Sequence, residues 1–500
     1  MEWNYNNLFK LFNKTNNNKL LLNCLWGLEK ESLRTTKTGT LALTPHPEIF
    51  GDKTTNSMIT TDFSESQIEL ITPPFSSIKL AHNSLKSIND YVNKNIKDEM
   101  LWPLSMPCRL PEEEFIPIAK FNNSEIGQEK EIYRRGLALR YGKKMQMISG
   151  IHYNFSFQNE FWFFLYKKFV KNANIKNFKN NIYFSIGRNI LRYRWLLLHL
   201  FGASPVIDKS YEEVFMKKLC IIGECGCLEK YTSYTKHITS LRSSFFGYSN
   251  SFNKAKNVSY NNLDQHIKDL KILLSTKHET FAKLGLYKNS KQIQLNSNIL
   301  QKENEYYSPV RFKHKLKNGE SLLDILETKG IEYLELRLFD LNPFDQTGIN
   351  IEDLYFIHLF IIYCLFNENK LITREENEYI DQNHHLTSIL GRQKNLELYK
   401  NNRTKIRFKS WAKEILDVIL NIAKLLDHNS NNNKFEKSVI SQLNKVNNPD
   451  LLPSSMILNE MENNKETFIE FGIKYAKKYS LKYQNLKQQE KHNAIQYARI

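Results

Sequence analysis

Hydrophobic residues recur at helical spacing in two separated parts of the chain. Apolar side chains fall at every third or fourth position in residues 75 to 98 and again in residues 263 to 284. Such spacing places them on one face of a helix, so both stretches are predicted to be helical. Most of the chain after residue 350 is also predicted to be helical.

Other stretches alternate between apolar and polar positions, which predicts strands with one buried face. These stretches are residues 57 to 72, 147 to 157, 292 to 300 and 330 to 339. An apolar run at residues 20 to 28 predicts a further strand. The strands are scattered between long helices without regular strand–helix alternation, so we expect an α+β fold with a mainly antiparallel sheet. No linker is evident, and we expect residues 1 to 500 to form a single large domain.

Composition narrows the class of protein. Apolar residues make up 41% of the chain and charged residues 25%, which is typical of a globular protein with a substantial core. No apolar run reaches the roughly 18 residues of a membrane helix, and the N-terminus lacks the pattern of a signal peptide. The six cysteines lack metal-ligand spacing and are expected to be free thiols. We therefore expect a cytoplasmic protein without a membrane partner.

The net charge of +17 leaves two interpretations open. A basic protein can bind nucleic acid, or it can attract small anionic substrates. Here Lys and Asn are spread along the whole chain, whereas a nucleic-acid interface concentrates basic and aromatic residues on one element. Compositional drift is favoured and no nucleic-acid partner is expected, with a basic nucleic-acid-binding protein as the alternative.

In several of the strand-like stretches, residues that can act as acids, bases or metal ligands alternate with apolar residues. Glu29 and Glu31 are two apart, so a strand places both carboxylates on one face. The same spacing recurs in two other stretches, whose polar residues are His152, Asn154 and Ser156 in one and Tyr333, Glu335 and Arg337 in the other. In a further strand-like stretch, Asp62 and Glu69 lie on either side of an expected bend or bulge.

Each of these groups, taken alone, is typical of a hydrated sheet face, an ion pair or a structural histidine. Four strands that turn carboxylates and one imidazole to the same face are better explained by divalent cations, and hard oxygen ligands favour Mg²⁺ or Mn²⁺ over zinc. The chain lacks glycine-rich nucleotide loops. If a nucleotide binds, metal ions and arginines must hold its phosphates, and the candidates are Arg134, Arg242, Arg311 and Arg337.

Ten short motifs follow one another in unbroken order between about residues 25 and 460. Three of them are Gly-Leu-Glu-Lys-Glu-Ser-Leu-Arg at 27 to 34, Met-Gln-Met-Ile-Ser-Gly-Ile-His-Tyr-Asn-Phe-Ser at 145 to 156, and Gly-Ile-Glu-Tyr-Leu-Glu-Leu-Arg at 330 to 337 with Asn-Pro-Phe at 342 to 344. The others lie at 59 to 63, 69 to 73, 102 to 108, 200 to 205, 239 to 248, 294 to 298 and 303 to 307. Together they resemble glutamate–cysteine ligase (γ-glutamylcysteine synthetase) of the proteobacterial type.

This resemblance implies a glutamine-synthetase-like carboxylate–amine ligase fold, in which a curved antiparallel sheet forms a funnel-shaped active site surrounded by helices. The implied reaction is ATP-dependent ligation of the L-glutamate γ-carboxylate to the L-cysteine amino group through γ-glutamyl phosphate, the first step of glutathione biosynthesis. Its substrates would be ATP, L-glutamate and L-cysteine, its cofactor Mg²⁺ or Mn²⁺, and its state a monomer. A ligase of the same fold with a different amine acceptor is the alternative.

The resemblance also implies roles for individual residues. Arg337 and Glu335 would be catalytic. The implied metal ligands are Glu29, Glu31, Asp62, Glu69, His152 and Glu335. The implied substrate-binding residues are Tyr133, Arg134, Leu137, Gln146, Arg242, Tyr248 and Tyr307. Residues 209 to 235, with Cys225 and Cys227, and the tail after about 460 match the family loosely. The length leaves no room for an ATP-grasp segment, so we expect the form that does not also add glycine.

Overall fold

The computed structural model describes residues 2–14, 17–170, 174–221, 236–247, 258–317, 319–400, 404–428 and 432–484. The strands in these ranges are β1 Cys24–Thr36, β2 Ile59–Thr61, β3 Gln67–Ile71, β4 Glu99–Leu101, β5 Ile151–Phe157, β6 Tyr287–Lys288, β7 Lys291–Gln292, β8 Val310–Lys313, β9 Tyr333–Phe339, β10 Glu397–Lys400 and β11 Thr404–Arg407. The helices are α1 Tyr5–Asn13, α2 Ile78–Asn95, α3 Glu125–Tyr141, α4 Asn159–Phe169, α5 Ile175–Phe201, α6 Glu212–Ile221, α7 Leu263–Ser275, α8 Glu279–Lys283, α9 Leu322–Lys329, α10 Ile351–Phe366, α11 Arg374–Leu390, α12 Phe408–Asp427, α13 Lys434–Asn447, α14 Pro453–Asn464 and α15 Phe468–Gln484.

One antiparallel sheet organises the strands. Its order is β2-β3-β1-β5-β9-β8, and β4 pairs with the far end of the long strand β1. Two separate two-stranded sheets, β6–β7 and β10–β11, lie outside it. The predicted α+β class with a mainly antiparallel sheet is confirmed, because helices fill the sequence between strands that are not joined as parallel strand–helix–strand units.

The alternating pattern of the strands gives the main sheet one apolar and one polar face. Tyr153 on β5 and both Leu334 and Leu336 on β9 are completely buried on the apolar face. Helix α5 contacts β9 and β8 there, and α5 in turn packs against α10, in which Leu354 to Phe366 are all buried. Burial of this continuous apolar surface is the principal stabilising contribution, and it leaves the opposite face of the sheet for chemistry.

Several predicted boundaries need correction. Residues 57 to 72 are not one strand but the hairpin β2–β3, with Asp62 in the connecting turn. The apolar run at 20 to 28 begins as a short 3₁₀ helix, Asn17–Leu22, before β1 starts at Cys24. The predicted helix at 263 to 284 is interrupted between Ser275 and Glu279.

The strand predicted at residues 292 to 300 is wrong, since Gln292 alone of these residues lies in a strand. Polar side chains replace the hydrogen bonds that a strand partner would supply. Gln294 Nε2 donates to the carbonyls of Phe281 and Gly285, at 2.9 and 2.7 Å, and Asn298 Nδ2 donates to a third carbonyl. Side chains that bind nearby main chain in this way favour irregular structure.

Other expectations are met in the described ranges. After residue 350 the chain is mainly helical, from α10 to α15, with the hairpin β10–β11 as the exception. Cys24, Cys108 and Cys364 are buried free thiols, and the side chains of the remaining three cysteines lie outside the described part. None of the helices described is long and apolar enough to cross a membrane.

Candidate functional site

Strand register brings the predicted carboxylates together on the polar face of the sheet. Glu31 on β1 pairs with Glu69 on β3, and Glu29 on β1 pairs with His152 on β5. Strand β9 lies beside β5 and adds Glu335. Residues directly opposite one another on neighbouring strands point to the same face, so four strands of distant sequence position supply one cluster.

His152 lies at the centre of this cluster. Its Nδ1 is 2.9 Å from Glu29 Oε2 and 3.5 Å from Glu335 Oε1, and its Nε2 is 3.5 Å from Glu31 Oε1. Asn154 Nδ2 donates to the other oxygen of Glu29 at 2.8 Å. Among the described residues, neither His152 Nε2 nor Glu335 Oε2 has a hydrogen-bond partner, although both atoms are buried. A buried polar atom without a hydrogen-bond partner costs free energy. A ligand bound to these two atoms would remove that cost.

Two sets of side chains in the described ranges have the geometry of a metal-binding group. The first is Glu29, His152 and Glu335, and the second is Glu31, Glu69 and His152, with the potential ligand atoms of each set within 4.8 Å of one another. Carboxylate oxygens with one imidazole are donors that Mg²⁺ and Mn²⁺ accept. Neither set includes the sixth predicted ligand, Asp62, which lies in the β2–β3 turn beside the cluster.

Burial, and to a smaller extent the neighbouring charges, shift the pKa values of the clustered carboxyl groups. Burial raises the pKa of Glu69 well above its usual range, and the nearby charge of Asp62 adds to the effect. Burial also raises the pKa of Glu31, although His152 acts in the opposite direction. At Glu29 burial is outweighed by the contact with His152, so the pKa of this carboxyl is lowered. A bound cation would favour the charged form of all of them.

Basic side chains surround the other end of the cluster. Glu335 accepts a hydrogen bond from Arg337 Nη1, and its Oε2 lies 3.7 Å from Lys313 Nζ. Burial would raise the pKa of Glu335, but Arg337, Lys313 and Arg311 hold it well below the usual range. Arg311 is opposite Glu335 in the β8–β9 pairing. The polar face therefore changes from a carboxylate-rich end to a guanidinium-rich end, which suits a cation beside an anionic ligand.

Arg242 reaches this face from the loop after residue 236. Its Nη1 donates to the carbonyl of Arg337 at 3.1 Å, and its side chain is almost completely buried. The guanidinium passes directly over Gly150: a Cβ atom there would be 2.1 Å from Arg242 Nη2. Any larger residue at 150 would displace the arginine, which explains the glycine before β5.

Arg134 contacts the turn that carries Asp62. Its Nε donates to the carbonyl of Asp62, its Nη2 contacts the carbonyl of Thr61 at 3.4 Å, and its Nη1 donates to Lys130 O at 3.0 Å. The guanidinium also lies over the ring of Phe121, 4.6 Å from the centroid. Arg134 is therefore held beside Asp62 on one side of the site.

The remaining predicted substrate residues come from three segments. Tyr133 and Leu137 lie one turn apart on α3 and thus on one side of that helix. Gln146 is buried in the short 3₁₀ helix before β5, and Tyr307 follows the turn at residues 303 to 305. Tyr248 lies outside the described residues.

Comparison with known proteins decides the family. The family model described as Glutamate-cysteine ligase matches residues 9–387. A relative named glutamate–cysteine ligase from Clostridium acetobutylicum is 46% identical over 95% of this chain and 100% of its own length. This chain belongs to the glutamate–cysteine ligase family.

Solved structures agree with this assignment. The glutamate–cysteine ligase of Francisella tularensis, crystallised in complex with AMP, has a TM-score of 0.84 and 32% identity, covering 95% of this chain and 92% of the other. A bifunctional glutathione synthetase from Pasteurella multocida has a TM-score of 0.75 and 27% identity, covering 95% of this chain and 55% of its own. The resemblance indicated by the ten motifs is confirmed at the level of family and fold.

One basic residue of the candidate site was missed by the sequence analysis. Lys313 is within 4 Å of Glu335, at 3.7 Å, yet it lies in a strand, β8, that was not predicted. The signal was present: Val310, Arg311, Phe312 and Lys313 alternate between apolar and basic residues. Four residues are too few for a reliable period, and only pairing with β9 shows that Arg311 and Lys313 share a face with Glu335.

Proposed function

We propose that this protein joins the γ-carboxylate of L-glutamate to the amino group of L-cysteine, forming γ-glutamylcysteine, ADP and phosphate from ATP. The observation that carries this proposal is the similarity to glutamate–cysteine ligases over 95% of the chain. The AMP in the Francisella tularensis relative supports a nucleotide site on this fold. The carboxylate and arginine face of the sheet supplies residue types that fit such chemistry.

The reaction has two balanced steps. A γ-carboxylate oxygen of glutamate attacks the terminal phosphorus of ATP, and the bond from that phosphorus to the bridging oxygen breaks to release ADP. The cysteine amine then attacks the acyl carbon of γ-glutamyl phosphate, loses a proton and displaces phosphate. Both steps depend mainly on positioning and on neutralising phosphate charge.

The residues of the cluster fit a divalent cation. His152 Nε2 and Glu335 Oε2 are buried and accept or donate no hydrogen bond within the described ranges. A bound cation would compensate for this and for the repulsion that adds to the raised pKa of Glu69. The residues proposed to hold Mg²⁺ or Mn²⁺ are Glu29, Glu31, Asp62, Glu69, His152 and Glu335. When bound, the ion would neutralise phosphate charge during transfer.

The proposed roles of the basic residues follow from their placement. Arg337 is held by Glu335 at the edge of the cluster, where it would stabilise the transferring phosphoryl group. Arg311 and Lys313 on β8 would add positive charge on the same side. Arg134 and Arg242 would bind phosphate or the glutamate carboxylates, since each approaches the face from a different element.

The amine acceptor would bind beside α3. The proposed pocket residues are Tyr133, Leu137, Gln146, Tyr248 and Tyr307. Tyr133 is half-buried, and burial raises its pKa, with the charge of Glu305 adding to the effect. Arg311 and Asp62, which also act on the pKa of Tyr133, support a pocket beside the polar face. The monomeric state and the cytoplasmic location remain predictions.

The test is ADP release by the purified protein with ATP, Mg²⁺ and glutamate, with and without cysteine. We expect cysteine-dependent turnover that is lost in Glu335→Gln and kept in Glu332→Gln, an exposed glutamate just before β9. Replacing cysteine by 2-aminobutyrate, serine or ammonia tests the alternative acceptor. Faster turnover with one of these would overturn cysteine as the substrate, and no turnover with any amine would overturn the ligase proposal.

A further inference from the structure

A buried ion pair joins α3, which carries Tyr133 and Leu137, to the turn at residues 303 to 305, which Tyr307 follows. Arg140 Nη1 is 2.9 Å from Glu305 Oε1, and the two side chains are 0% and 1% exposed. None of the roles proposed above uses either residue. Removing two charges from water is expensive, so a pair of this kind is weak evidence for stability and calls for another explanation.

Both side chains of the ion pair make several further hydrogen bonds. Glu305 also accepts from Tyr141 Oη at 2.7 Å and from the main-chain nitrogen of Gln301 at 2.5 Å. Arg140 donates twice to Gln294 Oε1, at 3.1 and 2.9 Å, and once to a main-chain carbonyl at 2.6 Å. A buried network whose members are all satisfied holds one arrangement. The network therefore sets the position of α3 relative to residues 294 to 305.

One side of the network contacts the part of α3 that carries the proposed pocket residues Tyr133 and Leu137, which we call the α3 wall. Gln301 Nε2 donates to the carbonyl of Tyr133 at 3.3 Å. Gln301 also packs against Gly136, where a Cβ atom would be 2.0 Å from Gln301 Oε1. The helix turn that carries Tyr133 and leads to Leu137 is thus in direct contact with the segment that Glu305 anchors.

The other side of the network contacts the segment that leads to Tyr307, which we call the Tyr307 wall. Through Arg311 it also contacts the polar face of the sheet. Arg311 Nη2 donates to the carbonyls of Asn304 and Tyr306, at 2.7 and 2.9 Å. Arg311 is itself opposite Glu335 in the β8–β9 pairing. The turn that contains Glu305 is therefore connected both to α3 and to the strand beside the proposed phosphoryl-transfer residues.

We propose that Arg140 and Glu305 are a positioning pair that sets the spacing between the α3 wall and the Tyr307 wall, and so the fit of the amine acceptor. This rests on the proposed function, which assigns Tyr133, Leu137 and Tyr307 to the acceptor pocket. Glu305→Gln keeps the shape of the side chain and removes its charge, which leaves Arg140 buried without a counter-ion. The walls then lose their common anchor, whereas the carboxylate cluster keeps all of its residues.

The test is steady-state kinetics of Glu305→Gln beside Glu303→Gln, a matched control in the same turn whose carboxylate has a 3.4 Å contact with Ser321. We expect the KM for cysteine to rise roughly tenfold in Glu305→Gln, which is the scale of a small misfit in a pocket. The KM values for ATP and glutamate should stay near those of the wild type, and the preference for cysteine over 2-aminobutyrate should fall. Glu303→Gln should leave all of these unchanged.

A second variant covers the case in which Glu305→Gln does not fold. Tyr141→Phe removes one hydrogen bond to Glu305 and keeps the ion pair, so it should raise the same KM by a smaller factor. Thermal unfolding of each variant separates loss of fold from loss of fit. Equal changes in the KM for all three substrates, or a KM for cysteine unchanged in a folded Glu305→Gln, would overturn the positioning role. Absence of cysteine-dependent ADP release from the wild type would instead overturn the proposed function first.

Discussion

Glu29 and His152 are register partners on adjacent strands, and Oε2 of Glu29 lies 2.9 Å from Nδ1 of His152. This contact orients the imidazole so that its other nitrogen, Nε2, is directed toward Glu31, 3.5 Å away. A carboxylate behind an imidazole is a common arrangement at metal sites, because it fixes the ring and its tautomer. Glu29 can therefore act both as a ligand and as the residue that orients His152.

Glu29→Gln is expected to weaken the use of Mg²⁺. The amide keeps the size of the side chain but loses the charge that holds His152 and that would bind a cation. The Mg²⁺ concentration for half-maximal activity should rise roughly 10- to 100-fold, the usual effect of losing an orienting carboxylate. Titration of activity with Mg²⁺ measures this. Glu397→Gln, at an exposed glutamate on β10, is the control and should titrate like the wild type.

Arg337→Lys is expected to reduce kcat more than any KM. Lysine keeps the positive charge but cannot reproduce the planar guanidinium that contacts Glu335 and would stabilise transferring phosphoryl charge. Loss of one such donor typically costs roughly 10²- to 10³-fold in kcat. Single-turnover ADP formation without cysteine isolates the first step. A normal first step in Arg337→Lys would show that this arginine has no part in phosphoryl transfer, and Arg407→Lys, at an exposed arginine, should resemble the wild type.

Gly150→Ala is expected to lower activity strongly through displacement of Arg242. The added methyl group would lie 2.1 Å from Arg242 Nη2, so the buried guanidinium must move away from the sheet. A displaced catalytic or binding group commonly costs about 10²-fold in kcat/KM. Gly27→Ala is the matched control on the same sheet, because its methyl group would meet its nearest neighbour, Asn154, at an ordinary 3.5 Å. Similar losses in both variants would contradict a specific effect on Arg242.

Stability is expected to fall below pH 6.5 in part because of His358. This side chain is completely buried beside the rings of Trp26 and Phe155, and burial lowers its pKa from 6.5 to about 3. The unfolded chain takes up a proton near pH 6.5 and the folded chain does not, so acid favours unfolding. At pH 5 the effect amounts to about 2 kcal/mol.

His358→Gln lacks the group that takes up this proton. From pH 7 to pH 5, the free energy of unfolding of the wild type should therefore decrease by about 2 kcal/mol more than that of His358→Gln. Urea unfolding at the two pH values measures the difference. His428→Gln, at an exposed imidazole, is the control and should keep the wild-type difference. An unchanged difference in His358→Gln would mean that His358 is already protonated in the folded protein at pH 5.

The candidate site was largely predictable from sequence because strands give their residues a simple period. Once Glu29 and Glu31 are on a strand, their carboxylates must share a face. The sequence did not predict which residues on neighbouring strands lie opposite Glu29 and Glu31. The pairing of Glu31 with Glu69 and of Glu29 with His152 depends on register between segments that are 38 and 123 residues apart, and no local pattern sets that register.

Long, periodic segments were also predicted better than short or polar ones. The helices α2, α7 and those after residue 350 follow from apolar spacing alone, whereas β8 was missed and residues 292 to 300 were mistaken for a strand. Gln294 and Asn298 have polar side chains that suit a strand or a loop equally well. Their contacts with α7 and α8 decide the matter, and these contacts exist only in the folded chain.

The sequence by itself thus determined the fold class, the family and the residue types of the candidate site, since period, order and motif are properties of the linear chain. The tertiary structure decided which of these residues meet. It placed Lys313 beside Glu335, directed His152 Nε2 at Glu31, and buried Arg140 against Glu305. The physical reason is that side-chain charge acts over a few ångströms, and distances of that size between remote residues arise only when strands pair and helices pack.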